Sequence, residues 1–283
     1  MGRLGAGSGW RVRPLGDTHR RLDDPLTRPA KADPLRSRPR SRYEKGDDLP
    51  NPLGAHVPGF TPPPAPPAAP IAGRWVTLEP LDADRHAAEL FQANAGADAV
   101  WDYLGYGPFP NLAAYTDWQR RMAGGADPVF YALRDHASGR IGGVAAFLRI
   151  DRTHGVIEIG HIQISPALQQ QVATSEAILL MICWAFGAGY RRVEWKCDAL
   201  NAPSMRAAAR YGFRYEGTFR QHMIVKGRNR DTAWWAITDA EFPALDRAYA
   251  AWLAPGNMDA AGRQRAALGD LIARERVAGG SPD

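Results

Sequence analysis

Three runs, Tyr190-Arg191-Arg192-Val193-Glu194-Trp195-Lys196-Cys197-Asp198, Asn201-Ala202-Pro203-Ser204 and Arg210-Tyr211-Gly212-Phe213, with Glu216-Gly217 just beyond, decide the reading of this chain. They predict a strand over Arg191–Cys197, a loop, and a helix over Ala202–Tyr211. Asn201 stands where a helix N-cap belongs. Gly212 stands where a left-handed residue closes the helix. Asn201 and Ser204, three residues apart at a strand-to-helix junction, bring an amide and a hydroxyl to one place.

Outward from that junction, a long apolar helix is predicted from Val172 to Gly187. Before it, Val129–Arg134, Arg140–Ile150 and Gly155–Ile164 read as strands of an antiparallel meander. The turns Asp135-His136-Ala137-Ser138-Gly139 and Asp151-Arg152-Thr153-His154 separate them. Arg74–Leu81 alternates apolar and polar residues as a half-buried strand does. Asp82 and Asp84 supply N-cap chemistry for a helix to about Asn94. A short segment Ala97–Leu104, the aromatic loop Gly105–Pro110 and a helix over Leu112–Met122 follow. Past the junction, strands 213–219 and 231–238 flank a turn at Lys226-Gly227-Arg228-Asn229, and a helix containing Pro243 runs to about Leu253. The order β α α β β β α β α β β predicts an α+β fold, with a mixed central sheet of about seven strands flanked by helices.

Length and composition bound the rest. A chain of 283 residues holds one domain with length to spare. Residues 1–73 are expected to be a disordered Arg/Pro-rich tail, ending in the extended spacer Thr61-Pro62-Pro63-Pro64-Ala65-Pro66-Pro67. The domain is expected over 74–253, with 254–283 a weakly helical appendix. Of the 35 Lys and Arg and 30 Asp and Glu, residues 1–50 hold 12 and 7, so the formal charge of +5 belongs to that segment and the body is neutral. A basic arm can bind phosphate backbones, but these basic residues are interleaved with acids, which argues for a solvated tail and against a nucleic-acid partner. No run of eighteen apolar residues suggests a membrane span. Cys183 and Cys197 form no ligand cluster and read as reduced packing residues, so a cytoplasmic protein without a metal is expected. The oligomeric state is left open.

The residues quoted first resemble the second half of a GNAT-family acetyltransferase, in the branch that acetylates ribosomal-protein N-termini. The likeness covers roughly Arg74–Leu253. It implies the GNAT acetyltransferase fold, acetyl-CoA as co-substrate, and direct attack of a primary amine on the thioester in a ternary complex. The amine would belong to a protein N-terminus or a small molecule. By this resemblance Asn201 holds the cofactor arm and Ser204 protonates the departing thiolate. The seventh residue after Asn201, which other members fill with Tyr, is Ala208 here. The strand carrying Ile162, Gln163 and Ile164 would splay from its neighbour and offer backbone amides to the thioester. Gln169, Val172, Ala173, Thr174 and Ser175 would occupy the pyrophosphate loop at a helix N-terminus. Val172 and Thr174 depart from the glycines usual there, which motivates the alternative of a non-catalytic acyl-CoA-binding module.

Glu158, His161 and His222 are candidates for the base, and the Glu158-Ile159-Gly160-His161 run favours Glu158. Glu158 and His161 should face opposite sides of a regular strand unless a bulge intervenes. Trp101, Asp102, Tyr103 and Tyr106, with His222 from the last hairpin, are the expected acceptor-binding set. An aromatic-acidic cluster of this kind suits a cationic amine, and a hydrophobic lid over the sheet accounts for it equally well.

Overall fold

The computed structural model describes residues 53–260 and 262–279. The chain divides into two compact units, Met1–Gly59 and Phe60–Asp283. Of the first, Leu53–Gly59 is described and contains no helix or strand; of the tail expected over 1–73, residues 1–52 lie outside the described residues.

The second unit contains β1 (Ile71–Ala72), β2 (Val76–Pro80), α1 (Ala83–Ala93), α2 (Leu112–Met122), β3 (Val129–Asp135), β4 (Ile141–Asp151) and β5 (Val156–Ile164). It continues with α3 (Val172–Gly187), β6 (Arg192–Asp198), α4 (Ala202–Arg210), β7 (Arg214–Val225), β8 (Arg228–Thr238), α5 (Phe242–Leu253) and α6 (Leu268–Ala278). One eight-stranded sheet runs in the order β1-β2-β3-β4-β5-β6-β8-β7. All neighbours are antiparallel except β5 and β6. Apart from the two-residue β1, the expected α+β order is found.

Two cores sandwich the sheet. Alternate residues of the central strands, among them Tyr131, Phe147, Ile157, Ile159, Val193 and Ile237, pack against α3, α5 and α6. The opposite face, with Phe130, Ala132, Val144 and Ala146, packs against Leu90, Trp101, Tyr115 and Trp118. Helix α3 carries no polar stripe, and nine of its residues are buried because it lies between the sheet and α5. Its Glu176, 3% exposed, accepts the backbone amides of Arg74, Trp75 and Val76 at 2.8, 2.6 and 3.1 Å, tying the start of β2 to the helix.

Two terminal segments differ from expectation. The Pro-rich stretch is packed against the domain: Pro63 and Pro66 are buried. The carbonyls of Pro63, Pro64 and Pro67 accept from Arg152 Nε at 2.6 Å, Tyr190 Oη at 3.0 Å and Tyr131 Oη at 2.6 Å. A polyproline segment leaves its carbonyls unpaired, and here the buried Tyr131 and Tyr190 and the surface Arg152 donate to them. The C-terminal residues likewise join the core. Leu268 and Ile272 of α6 are buried with α5, Arg247 pairs with Glu275 at 2.6 Å, and Arg276 donates to the Gly212 carbonyl at 2.6 Å.

The last hairpin is also longer than the strands 213–219 and 231–238 predicted. Between Phe219 and Met223, β7 carries two more residues than β8, and Gln221 takes φ +51°. That irregularity broke the period-2 pattern and hid the outer half of the hairpin.

Candidate active site

Strands β5 and β6 begin side by side, pairing Val156 with Arg192, Ile157 with Val193 and Glu158 with Glu194. No rung follows. Residues Ile159–Ile164 stay joined to β4, and Trp195–Asp198 stay joined to β8. Two adjacent parallel strands thus part after Glu158, leaving backbone edges that face a gap with no ladder partner across it.

The gap begins beside an irregularity in β5. Gly160 pairs with Ala146 and Gln163 with Val144, so β5 carries one residue more than β4, and His161 adopts φ +49°. This bulge reverses the alternation. Ile157 and Ile159 point to the α3 face before it, and Ile162 and Ile164 point there after it. His161 is thereby brought to the same face as Glu158. Its ring lies 5.0 Å from Phe130 and 5.6 Å from Tyr106. The spacing Ile157, Ile159, Ile162, Ile164 recorded the bulge in the sequence.

Asn201 N-caps α4, its Oδ1 accepting from Ser204 N at 3.1 Å, which leaves the Nδ2 donor for another partner. Trp195 Nε1 donates to Ser204 Oγ at 3.0 Å. With a lone pair so engaged, the hydroxyl is oriented, and its own proton lies within reach of the Cys197 thiol. Gly212, at φ +90°, ends the helix, and a Cβ there would lie 2.7 Å from Leu245. Only glycine fits the site without displacing that side chain.

At the other end of the gap, Pro166–Gln171 turns into α3 with Gln170 at φ +62°. Helix α3 has no side-chain N-cap, so the amides of Val172, Ala173 and Thr174 keep the open donors of a first turn. Val172 has negative φ and needs no glycine conformation. Thr174 Oγ1 donates to the Leu168 carbonyl at 2.6 Å, and Gln169 Nε2 donates to that of Ile164 at 3.2 Å. Ser175 is buried and accepts from Arg210 Nη1 at 3.0 Å. The Thr174 and Ser175 hydroxyls therefore serve the protein's own groups, and the loop's outward donors are backbone amides. Gln163 pairs with Asn94, donating from Nε2 at 2.6 Å, so it too has only its backbone to offer the gap.

Glu158, 5% exposed, lies among cations. Lys196 Nζ is 3.1 Å and Arg149 Nε 3.4 Å from its Oε2, yet neither is aligned as a hydrogen bond, and that oxygen keeps acceptor capacity. Burial pushes the carboxyl above its ordinary range, and Lys196 and Arg149 oppose it. His161 is held below the ordinary imidazole range, first by burial and then by the charges of Arg149 and Arg230.

The expected acceptor set separates. Trp101 and Tyr106 lie within a packed aromatic group with Phe109, Tyr115 and Trp118. Their ring faces meet one another, so they form a lid rather than an open cation cage. Asp102 is exposed. Tyr103 Oη donates to the Leu200 carbonyl at 3.2 Å, beside Asn201. Lys226 Nζ, at the tip of the β7–β8 hairpin, donates to the Trp101 carbonyl at 2.8 Å. His222 meets Thr232 Oγ1 at 3.0 Å and packs against Phe219 and Trp234. Lys196 and Arg149 are the site-facing cations that sequence reasoning missed, whereas Arg230 belongs to the basic hairpin that the sequence places near the mouth of the site. On a strand read as alternating, Lys196 fell on the polar face with nothing to say that face was enclosed. A cavity of about 810 Å³ adjoins the hairpin irregularity at Phe219–His222, Asn229 and Asp231. Among the described residues no cluster of His, Cys, Asp or Glu is arranged to hold a metal.

Residues 76–214 match the family model described as an acetyltransferase (GNAT) domain. A GCN5-related N-acetyltransferase from Brucella melitensis is 45% identical with a TM-score of 0.75, the match covering 77% of this chain and 100% of that one. A probable GNAT-family acetyltransferase from Chromobacterium violaceum is 40% identical with a TM-score of 0.65, over 70% and 100% of the two chains. The RimL ribosomal L7/L12 alpha-N-protein acetyltransferase shares the fold at 20% identity and a TM-score of 0.53, over 60% and 93%. No curated protein matches the chain.

Proposed function

We propose that this chain, which belongs to the GNAT family of acetyltransferases, carries an acetyl group from acetyl-CoA to a primary amine by direct attack. The observation that carries this reading is the gap between β5 and β6, with Asn201 and Ser204 beside it. Acetyl-CoA supplies an activated acetyl group, and the residues fit its parts. The open amides of Val172–Thr174 suit the pyrophosphate. Asn201 Nδ2 suits the amide-bearing arm. The unpaired edge Ile159–Ile164 suits the thioester carbonyl, as fixed backbone donors do in acyl transfer.

An attacking ammonium must first lose a proton. Glu158 is the proposed acceptor, directly or through a water, because its carboxyl is raised toward the working range and Oε2 keeps a lone pair. His161 is the second candidate, since the bulge brings a neutral imidazole to the same face. Ser204, oriented by Trp195, gives its proton to the leaving sulfur and regains one from solvent, while Glu158 loses to solvent the proton it took from the amine. Reduced Cys183 and Cys197 suit a reducing cytoplasm.

The test is acetyl-CoA turnover across amines and peptides, with the product identified by mass spectrometry. An acetylated amine whose formation falls in Ser204→Ala is the expected result. Absence of transfer to every amine, with acetyl-CoA bound, would overturn the assignment.

A further inference from the structure

The enclosed face beneath the lid holds polar atoms that the protein leaves unmatched. Arg230 Nε, Tyr106 Oη and Trp234 Nε1 are each buried without a hydrogen-bond partner among the described residues. All three are donors. They lie on one side of the sheet. Trp234 covers Lys196 with its ring 3.8 Å from Nζ, Arg230 follows Trp234 and Thr232 at two-residue steps along β8, and Tyr106 stacks on His161.

Buried donors without partners are costly, so such a set calls for an acceptor from outside the chain. Of the protein's own carboxylates nearby, three are already hydrogen-bonded and the fourth, Glu158, sits between two other cations. Glu194 takes Lys196 at 2.6 Å and Arg192 at 2.9 Å. Asp198 takes the Leu200 amide at 2.8 Å. Asp231 takes the Gln221 amide at 2.7 Å and Asn229 Nδ2 at 2.9 Å. Glu158 faces Arg149 and Lys196. A guanidinium whose Nε has no partner, on a face where Glu194, Asp198 and Asp231 are spent and Glu158 is held by Lys196 and Arg149, matches the planar fork of a carboxylate.

We propose that the acceptor amine carries a carboxylate a few bonds from its nitrogen, and that Arg230, aided by Tyr106 Oη, is the receptor for that carboxylate. The inference rests on the acetyl-transfer reading above and adds to it the chemical class of the substrate. It favours amino acids and short acidic peptides over polyamines, the reverse of what an aromatic-acidic cage would select. His161, on the strand that borders the gap, stacks on Tyr106 and feels the Arg230 charge, so an amine tethered to the carboxylate would be held near that strand.

The experiment uses the full chain with acetyl-CoA and two matched pairs, L-phenylalanine with L-phenylalaninamide and β-alanine with β-alaninamide, alongside spermidine. Replacing the carboxylate by a carboxamide keeps the shape and makes the amine easier to deprotonate, which biases the test against the proposal. The expected kcat/KM favours the carboxylate member by roughly tenfold to a hundredfold, the range of one charge-assisted hydrogen bond. Arg230→Gln collapses that ratio and Arg230→Lys recovers part of it, with acetyl-CoA binding followed by calorimetry as the folding control. Preference for the amides or for spermidine, or an Arg230→Gln loss equal for both members of a pair, overturns the carboxylate assignment and leaves acetyl transfer standing. No acetylation of any probe overturns the proposal together with the reading beneath it.

Discussion

Trp195→Phe isolates one hydrogen bond. Trp195 is 4% exposed, packs against Tyr211 and Phe213 with centroids 6.1 and 5.6 Å away, and donates from Nε1 to Ser204 Oγ at 3.0 Å. Phenylalanine keeps an aromatic ring in that packing and removes the donor. A neutral hydrogen bond of this length contributes about 1 kcal/mol. If it orients the Ser204 hydroxyl toward the leaving sulfur, its loss is felt in the chemical step, and about 1 kcal/mol is roughly a fivefold fall in kcat. The KM for acetyl-CoA should stay within about twofold, because the Asn201 grip and the loop amides are untouched.

The smaller ring also costs about 1 to 2 kcal/mol of stability through the cavity it leaves. Stability and catalysis are separated by a double-mutant cycle. Steady-state release of CoA, followed with a thiol reagent, is measured for Trp195→Phe, Ser204→Ala and the double variant well below their melting temperatures. When Trp195 acts only through Ser204, the double variant is as slow as Ser204→Ala alone. A further fivefold loss in the double variant would refute the orienting role and leave Trp195 as packing.

Asn201→Ala should raise the KM for acetyl-CoA and lower stability by about 1 kcal/mol through the lost N-cap, read by calorimetry and thermal melts; an unchanged KM would remove the grip. The pH–rate profile should rise on a limb belonging to the proton acceptor. That limb lies above the ordinary carboxylate range if Glu158 carries it and below the ordinary imidazole range if His161 does, and only the matching Glu158→Gln or His161→Gln variant abolishes it. Buried His86 has its imidazole lowered, first by burial, and its partner Glu79 has its carboxyl lowered, first by Arg134. The stability from both is therefore present above the ordinary imidazole and carboxylate values of 6.5 and 4.5 and is lost as pH falls through the folded values. The melting temperature should drop on acidification from neutral, and less steeply in His86→Gln. Glu176→Ala strips the amides of Arg74, Trp75 and Val76, the last of them buried, of their acceptor and should cost about 3 to 5 kcal/mol, measured by urea denaturation.

Much of this was legible in the sequence where local chemistry and long-range packing agree. The meander from β3 to β5, the apolar α3 and the Gly212 stop each follow from period, turn residues or a positive φ, and they stand where expected. The junction of Asn201 and Ser204 was legible because a cap is a local device. The packed Pro-rich strap was not, because its partners Tyr131, Arg152 and Tyr190 are remote in sequence and composition alone resembles a spacer. The outer hairpin was hidden by its own irregularity. At the site, the face toward which Glu158 and His161 point depended on one extra residue in β5. The isoleucine spacing carried that residue, and a strict two-residue alternation concealed it.

That extra residue links the two halves of the chemistry. A regular β5 would turn His161 toward α3 and bury the polar Gln163 there; the bulge instead returns Ile162 and Ile164 to the core and gives Gln163 its partner Asn94. The same shift follows the point at which β5 leaves β6, so the strand's spare backbone groups and its ionisable side chains arise within four residues of each other, from Glu158 to Ile162. On the proposed reading the gap would receive the acyl donor from the α3 and α4 side, whereas Glu158, Lys196 and Arg230 lie on the opposite face of the sheet. An amine held on that face therefore meets the thioester only through the gap, which is why separation of these two strands governs both substrates at once.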